Sequence, residues 1–449
     1  MSKRNQDMTT GPLGRQILFF SIPLMLSNIL QVLFNMADVA VVGRFAGSMA
    51  LGSVGSTTIL VTMFTGFLIG VAGGINVLVA LYYGARNEKS VEETVHSSAL
   101  LSLACGVLIL LIGLLFSKSI LRILNTKEEL IDGAVLYISI YFLGMPALAI
   151  YNFGNAVFSA VGDTGRPLRY LTIAGILNLV MNLFFVIVCN LGVAGVAAAS
   201  AISQYGSALM IVAALFRSRE CYGLRLSALR LNPEKAKDII RIGLPAGLQN
   251  AIFQMANLFI QAGVNTFSAV MVAGNSAAAN ADAMIYDVMA AFYTACGSFM
   301  GQNYGARKKD RIRKSYFISL GYSFGIGTAM GLLLVLFGRP FLSLFTSDPE
   351  VIRCGMYRLT IMGFSYGISA FTDCTIAASR AMGKGAVPTV IVLMGSCVFR
   401  IIWVYTIFAY FKTIPSLYLL YVCSWSITAI AEIIYFVKVY KEKTQELPA

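Results

Sequence analysis

The sequence predicts an all-α integral membrane protein with twelve transmembrane helices in two pseudo-symmetric six-helix lobes. Three observations carry this expectation. Of 449 residues, 57% are hydrophobic and only 12% charged, and stretches of about 20 uncharged apolar residues, enough to cross a ~30 Å hydrocarbon layer as helices, recur along the chain. Short fragments repeat at a near-constant offset between the two halves. Finally, Lys and Arg crowd into alternate loops. A β-barrel would show short alternating segments instead. Lipid permits only helices or closed barrels, so the chain reads as helical throughout.

Twelve spans follow in order, at 16–42, 50–82, 95–117, 134–161, 168–190, 193–216, 238–267, 277–301, 316–338, 354–379, 388–411 and 416–437. The first carries Ser27, Gln31, Asn35 and Asp38 in one line down a helical face. A charge in lipid is costly, so this stripe should face other helices or water. The fourth span holds Asn152, Asn155 and Ser159 at helical spacing; the fifth holds Asn178 and Asn182; the sixth holds Ser200, Ser203 and Gln204. The seventh repeats the polar stripe as Asn250, Gln254, Asn257, Gln261 and Asn265, but has Phe259 or Ile260 where Asp38 would fall. In the eighth, Asn280, Asp287 and Thr294 recur at seven-residue intervals beside Tyr286 and Tyr293. Asp373 and Arg400, on the tenth and eleventh spans, are expected to neutralise each other. Glu432 is expected at the interface as a snorkelling residue, Asp282 at a shallow, wet depth, and His96 at a solvated helix start.

The repeat is the most specific internal signal. Tyr83-Gly84-Ala85-Arg86 recurs as Tyr304-Gly305-Ala306-Arg307, a shift of 221, and Gly162 with Pro167 recurs as Gly383 with Pro388 at the same shift. Ile22-Pro23 falls on Leu244-Pro245 at 222. The expected organisation is an N-terminal lobe at 1–216, a cytoplasmic linker at 217–237 and a C-terminal lobe with its tail at 238–449. Each half has an even span count, so the lobes share an orientation. Most of the 34 Lys and Arg lie in the termini and the loops near 86, 166, 217–241, 307–314 and 380–384. The opposite loops hold Arg44, Lys118, Arg122, Lys127, Arg339, Arg353, Arg358 and Lys412. The positive-inside rule then places both termini in the cytoplasm. The net charge of +13 belongs to loops beside anionic headgroups rather than to nucleic acid.

Enzyme classes find no support. There is no HExxH or GxSxG, and Tyr286-Asp287 lacks the downstream glycine-aspartate partner of an intramembrane aspartyl protease. Eight scattered cysteines and one histidine indicate neither a disulfide framework nor a zinc site. Nothing resembles a channel filter. What remains is a transporter. Asp38 with amide and hydroxyl oxygens suits a hard cation such as Na⁺, and equally a carboxylate that takes a proton; Asp287 bordered by aromatics suits an organic cation.

Several motifs resemble the multidrug and toxic compound extrusion (MATE) family: Ile22-Pro23, Met36-Ala37-Asp38 leading to Val42-Gly43-Arg44, Gly301-Gln302-Asn303-Tyr304-Gly305-Ala306, Ser379-Arg380-Ala381-Met382-Gly383-Lys384 with Pro388, and Phe399-Arg400-Ile401-Ile402-Trp403. The second half is similar to the bacterial DinF-type branch. The resemblance implies cation-coupled export by alternating access, with Na⁺ or H⁺ as coupling ion and no other cofactor. It implies cation binding by Asp38 (the Na⁺ ligand if Na⁺ is the ion), Asn178, Asn182 and Ser200, and Asn155 on the fourth span is expected to join them. Many relatives carry an aspartate where this chain has Asn182. Substrate contacts are expected at Gln31, Asn35, Gln254, Asn257, Tyr286, Asp287 and Asp373. The expected partners are amphipathic, cationic small organic molecules and membrane lipids, and the expected state is a monomer. The alternatives are a lipid-linked precursor flippase and a narrow-specificity metabolite exporter.

Overall fold

A computed structural model describes residues 7–124, 126–445 and 447, and the regular structure of those residues is helical. The opening Lys3 and Arg4 of the basic N-terminus lie outside the described residues. The helices are α1 (Leu13–Val41), α2 (Ser48–Gly84), α3 (Glu88–Ile123), α4 (Glu128–Leu143), α5 (Met145–Ala160), α6 (Gly165–Leu183), α7 (Gly192–Phe216), α8 (Pro233–Val264), α9 (Ala269–Gly305), α10 (Lys309–Ser343), α11 (Pro349–Gly363), α12 (Tyr366–Ala381), α13 (Ala386–Phe411) and α14 (Ile414–Thr444). Their starts follow local chemistry. Asn87, Ser268 and Asp348 accept from backbone amides at the first turns of α3, α9 and α11, and Thr413 closes a capping box with Ser416 at α14.

The helices follow the twelve expected spans, with two spans broken in the middle. α4 and α5 bend by 45° at Gly144, ahead of Pro146, which occupies the first turn of α5. α11 and α12 break likewise at Phe364–Ser365. By length and apolarity alone, nine helices among the described residues can cross a membrane, or ten with the bent α4–α5 pair. α8 and the α11–α12 pair fall short of that test. The first carries the amide stripe from Asn250 to Gln261, and the second carries Arg353, Arg358 and Asp373.

The internal repeat extends to backbone conformation. Arg86 and Arg307, the last residues of the repeated tetrapeptide, both adopt left-handed φ values of 53° and 58°. In each, the next amide reaches back to close the helix: Asn87 N–H to Tyr82 O at 3.1 Å and Lys308 N–H to Asn303 O at 2.9 Å. Gly162 and Gly383 also match, at φ 89° and 79°, ending α5 and α12 in the same kind of turn.

Two compact units emerge, and they do not divide at the expected linker. Among the described residues one unit comprises 26–251 and the other 7–25 with 252–449, so α1 is split after Met25 and α8 after Ala251. In the first unit, the early turns of α8 lie directly on α2. A Cβ on Gly70 would stand 2.5 Å from the Ala246 carbonyl, and one on Gly74 2.6 Å from Gly243 Cα, so small residues permit backbone contact. Asn250 donates to Gly66 O at 3.0 Å along the same seam. The linker packs here too. Tyr222 and Leu224 are buried, Asn232 N–H donates to Ser97 Oγ at 2.9 Å, and Arg225 N–H donates to His96 Nε2 at 3.0 Å. His96 is therefore a buried linker anchor, because α3 runs beneath the linker rather than into water.

In the second unit, residues 7–11 are strapped to α9 and α10. Asn303 Nδ2 donates to Met8 O at 3.1 Å, Lys308 Nζ to Thr9 O at 2.6 Å, and the Arg311 guanidinium to Gly11 O at 2.8 Å, Met8 O at 3.0 Å and Thr10 O at 3.1 Å. Met8 is buried beside Phe20, which meets Phe299 edge-on at 5.4 Å. Burial would raise the carboxyl pKa of Asp7, but bonds from Thr9 and Thr10 and the charge of Lys308 outweigh it and hold the value below the usual carboxylate range.

Arg311→Ala should raise amide hydrogen exchange in residues 7–11 while exchange in α9 stays unchanged; equal protection in the variant would refute the strap. In wild type the Asp7 contribution is present above the ordinary carboxylate pKa and is lost as pH falls through its depressed value, so the same segment should loosen only in acid. Cys221, on the linker, is pushed up to about 11 by burial and then by Glu88 and Glu220. Because the thiolate is the reactive form, its alkylation at pH 7.5 should be much slower than that of a free thiol with pKa about 8.5, and should accelerate as pH rises towards 11.

Candidate functional site

Asp38 lies on α1 one turn before the chain widens into a π-helical segment, Val42–Ala46. Its partners come from α6 and α7. Gly175, Asn178 and Asn182 share a face of α6, and a Cβ on Gly175 would overlap the Phe34 ring at 1.8 Å. Glycine there lets α1 approach closely enough for Asn182 to reach Asp38. Asn182 Nδ2 donates to Asp38 Oδ1 and also to Asn178 Oδ1 at 3.2 Å. Ser200 Oγ donates to Asp38 Oδ2 at 3.2 Å and accepts from Asn178 Nδ2 at 3.4 Å. α6 itself turns π-helical over Phe184–Val188, just after Asn182; such segments often accompany functional positions in helices.

The cluster gathers five side-chain oxygens: both of Asp38, the amide oxygens of Asn178 and Asn182, and the Ser200 hydroxyl. No Lys or Arg pairs with Asp38 among the described residues. Asn182 is fully buried, and its Oδ1 has no hydrogen-bond partner among them. A buried acceptor left unmatched beside a carboxylate favours a cation or a donated proton. Tyr137 and Tyr141 of α4 stack at 5.8 Å and lie within electrostatic reach of Asp38. Sequence reasoning missed them, though their four-residue spacing was a usable signal.

The structure brings together Asp38, Asn178, Asn182 and Ser200. It does not bring Asn155 to them; on α5 its Oδ1 accepts from Ser159 at 3.5 Å. Gln31 and Asn35 are exposed, and Gln254 and Asn257 are half-buried. Tyr286 meets Tyr366 and Trp425 edge-on at 6.0 and 5.9 Å, and Asp287 is half-buried on the same helix. Asp373 is not paired with Arg400, contrary to expectation. The cation within electrostatic reach of it is Arg380, seven residues further along α12, because Arg400 points instead into a group of rings.

A second polar cluster lies in the other unit. Asp282 and Arg358 are each only 7% exposed. Arg358 Nε donates to Asp282 Oδ2 at 2.9 Å and Nη1 to Asn275 Oδ1 at 2.6 Å; Tyr366 O–H donates to Asp282 Oδ1, and Tyr418 O–H to Asn275 Oδ1 at 2.8 Å. Asp282 is thus dry rather than wet, and Arg358 is not a loop residue. The two charges meet inside the helix bundle, satisfied by each other and by hydroxyls. Glu432 is also corrected: it is 0% exposed, with Arg380 as the cation within electrostatic reach. Its helix face turns inward, so it does not snorkel.

The MatE family profile matches residues 23–184 and 245–406, one match in each half of the chain. The probable multidrug resistance protein YpnP of Bacillus subtilis (strain 168) is 28% identical over 380 residues, 84% of this chain and 85% of that protein. A protein named FAD transporter from Shewanella oneidensis is 24% identical over 375 residues, 81% of each chain. The fold matches an outward-facing multidrug resistance MATE transporter of the MOP superfamily with a TM-score of 0.91, at 24% identity and 99% coverage of both chains.

Breaking a buried pair leaves an uncompensated charge, at about 3–5 kcal/mol. Arg358→Ala should therefore lower the thermal midpoint of the detergent-solubilised protein sharply, whereas Arg353→Ala, at an exposed pair with Glu350, should barely move it. Equal midpoints for the two variants would count against the buried cluster as a structural anchor.

Proposed function

The chain belongs to the MatE family of membrane transporters, and from that premise we propose that it is an antiporter, exporting amphipathic, cationic small molecules against an inward flow of Na⁺ or H⁺. It is a multi-pass membrane protein; on our reading it works as a monomer in a bacterial inner membrane with both termini in the cytoplasm. The observation that carries the reading is the oxygen cluster around Asp38, with the buried, unmatched Oδ1 of Asn182 beside it. Oxygen donors of this kind suit Na⁺, and a carboxylate with no cationic partner suits a proton equally.

Export then follows from differential binding. The coupling cation at Asp38 favours one opening of the transporter, the substrate favours the other, and neither can shift the equilibrium beyond its own difference in affinity for the two states. Asp38 holds the ion, Asn178, Asn182 and Ser200 shape its oxygen shell, and Asn155 takes no part in that shell. Gln31, Asn35, Gln254 and Asn257 offer hydrogen bonds to substrate, while Asp287, Tyr286 and Asp373 offer charge and an aromatic face to a cation. A narrow-specificity metabolite exporter is the second reading, favoured by the similarity to the protein named FAD transporter.

Ethidium efflux from inverted vesicles, with Na⁺ and proton gradients imposed separately, tests the proposal. One gradient should drive efflux, and Asp38→Asn should reduce it at least about tenfold, a loss of ~1.4 kcal/mol in coupling. Full gradient-driven activity in Asp38→Asn would remove Asp38 from the mechanism. Absence of ethidium efflux from a folded, inserted protein would favour the narrow-specificity reading.

A further inference from the structure

Arg400 is the largest fully buried side chain, at 1% exposure. It stands on a short α-helical stretch of α13, Phe399–Trp403, between two π-helical segments, Leu393–Val398 and Val404–Phe408. Its Nε donates to Ser424 Oγ at 3.0 Å. The guanidinium lies over Tyr421 at 4.7 Å, Phe253 at 5.0 Å and Trp425 at 5.9 Å. Its other two nitrogens, Nη1 and Nη2, are buried with no hydrogen-bond partner among the described residues. No carboxylate pairs with it there, and the ionisable groups that reach it are Tyr421, Tyr286 and Cys397.

This is an unusual arrangement for a group that stays charged at any physiological pH. The rings attract the positive charge through their faces, but they cannot accept the in-plane N–H bonds of the Nη edge. That edge is the fork that matches the paired oxygens of a carboxylate or phosphate. A buried charge without a counter-ion is expensive, and an ionisable residue at membrane depth is by default functional. The internal candidate for the counter-ion, Asp373, forms no ion pair with it, and the cation within electrostatic reach of Asp373 is Arg380. The flanking π segments place adjustable helix on either side of the residue.

We propose that the Nη edge of Arg400 binds the anionic oxyacid group of an aromatic small molecule, a carboxylate, sulfonate or phosphate, whose ring system lies among Tyr421, Trp425 and Phe253. The proposal rests on the exporter reading for the statement that this molecule is cargo, and it adds an acidic or zwitterionic class to the cationic one. Asp287 and Arg400 in the same unit would then serve opposite ends of a zwitterion.

The test uses the full chain in lipid nanodiscs and equilibrium dialysis with three probes: fluorescein, 2-naphthalenesulfonate and 4-methylumbelliferyl phosphate. At least one should bind, with affinity reduced about ten- to hundredfold in Arg400→Gln, the range for losing charge-assisted hydrogen bonds. Arg400→Lys should retain part of the affinity, and ethidium binding should be unchanged in both. If the charge is held for a ligand rather than for the fold, Arg400→Met should keep or raise the thermal midpoint. Binding of none of the three probes to wild type, or undiminished binding in a folded Arg400→Gln protein, would overturn the proposal; so would a fallen midpoint in Arg400→Met with anion affinity intact. Arg400-dependent anion binding without efflux of any dye would leave this site standing and sink the reading of a broad exporter of cationic molecules, while ethidium efflux without anion binding would do the reverse.

Discussion

Every charge placed at membrane depth must find its partner inside the protein, and the rest of this structure follows from that constraint. Water cannot repair an unmatched group there, and each unsatisfied polar atom is costly. The chain meets the demand in three ways. Asp282 and Arg358 neutralise each other, with Tyr366, Tyr418 and Asn275 closing the remaining bonds. Asp38 receives neutral donors from Asn182 and Ser200 but no cation among the described residues. Arg400 receives rings and one hydroxyl but no anion among them. The first arrangement is complete in itself. The other two leave polar atoms unmatched, the Oδ1 of Asn182 beside Asp38 and both Nη atoms of Arg400.

The two halves therefore share a backbone plan and differ in electrical character. The first presents a carboxylate amid oxygens, and the second presents a guanidinium amid aromatic faces. Local geometry supports both. The helices bearing Asp38, Asn182 and Arg400 all pass into π-helical turns within a few residues of those side chains, whereas α9 and α11, which bear the self-satisfied Asp282–Arg358 pair, are regular α-helix across it.

Much of this was legible in the sequence because lipid imposes simple rules. Apolar length located the helices, and helical spacing put Asn178 and Asn182 on one face, where the structure finds Asn182 bonded to Asp38 and Asn178 bonded to Asn182 and Ser200. The repeat located equivalent turns. What failed was depth and pairing. Arg358 looked like a residue of the opposite loops because it lies within a turn or so of the expected start of the tenth span, yet it sits inside α11 on the face turned inward to Asp282. Asp373 and Arg400 looked like a pair because both lie in adjacent spans, but pairing depends on rotation about the helix axis, which spacing within one helix does not determine across two. Asn155 shared a polar face with Ser159 and was satisfied there. His96 and Glu432 were misplaced for a related reason: the sequence does not say which chain segment lies on a given helix face.

The left-handed arginines at the repeated helix ends carry the likeness of the two halves into backbone energetics. Glycine adopts that conformation freely, whereas a residue with a Cβ gives up roughly 1–2 kcal/mol to do so. Arg86 and Arg307 both adopt it, in the same tetrapeptide and the same turn. Each half therefore holds the same local strain at the same place, and the helix end around it has to over-determine that conformation twice in one chain.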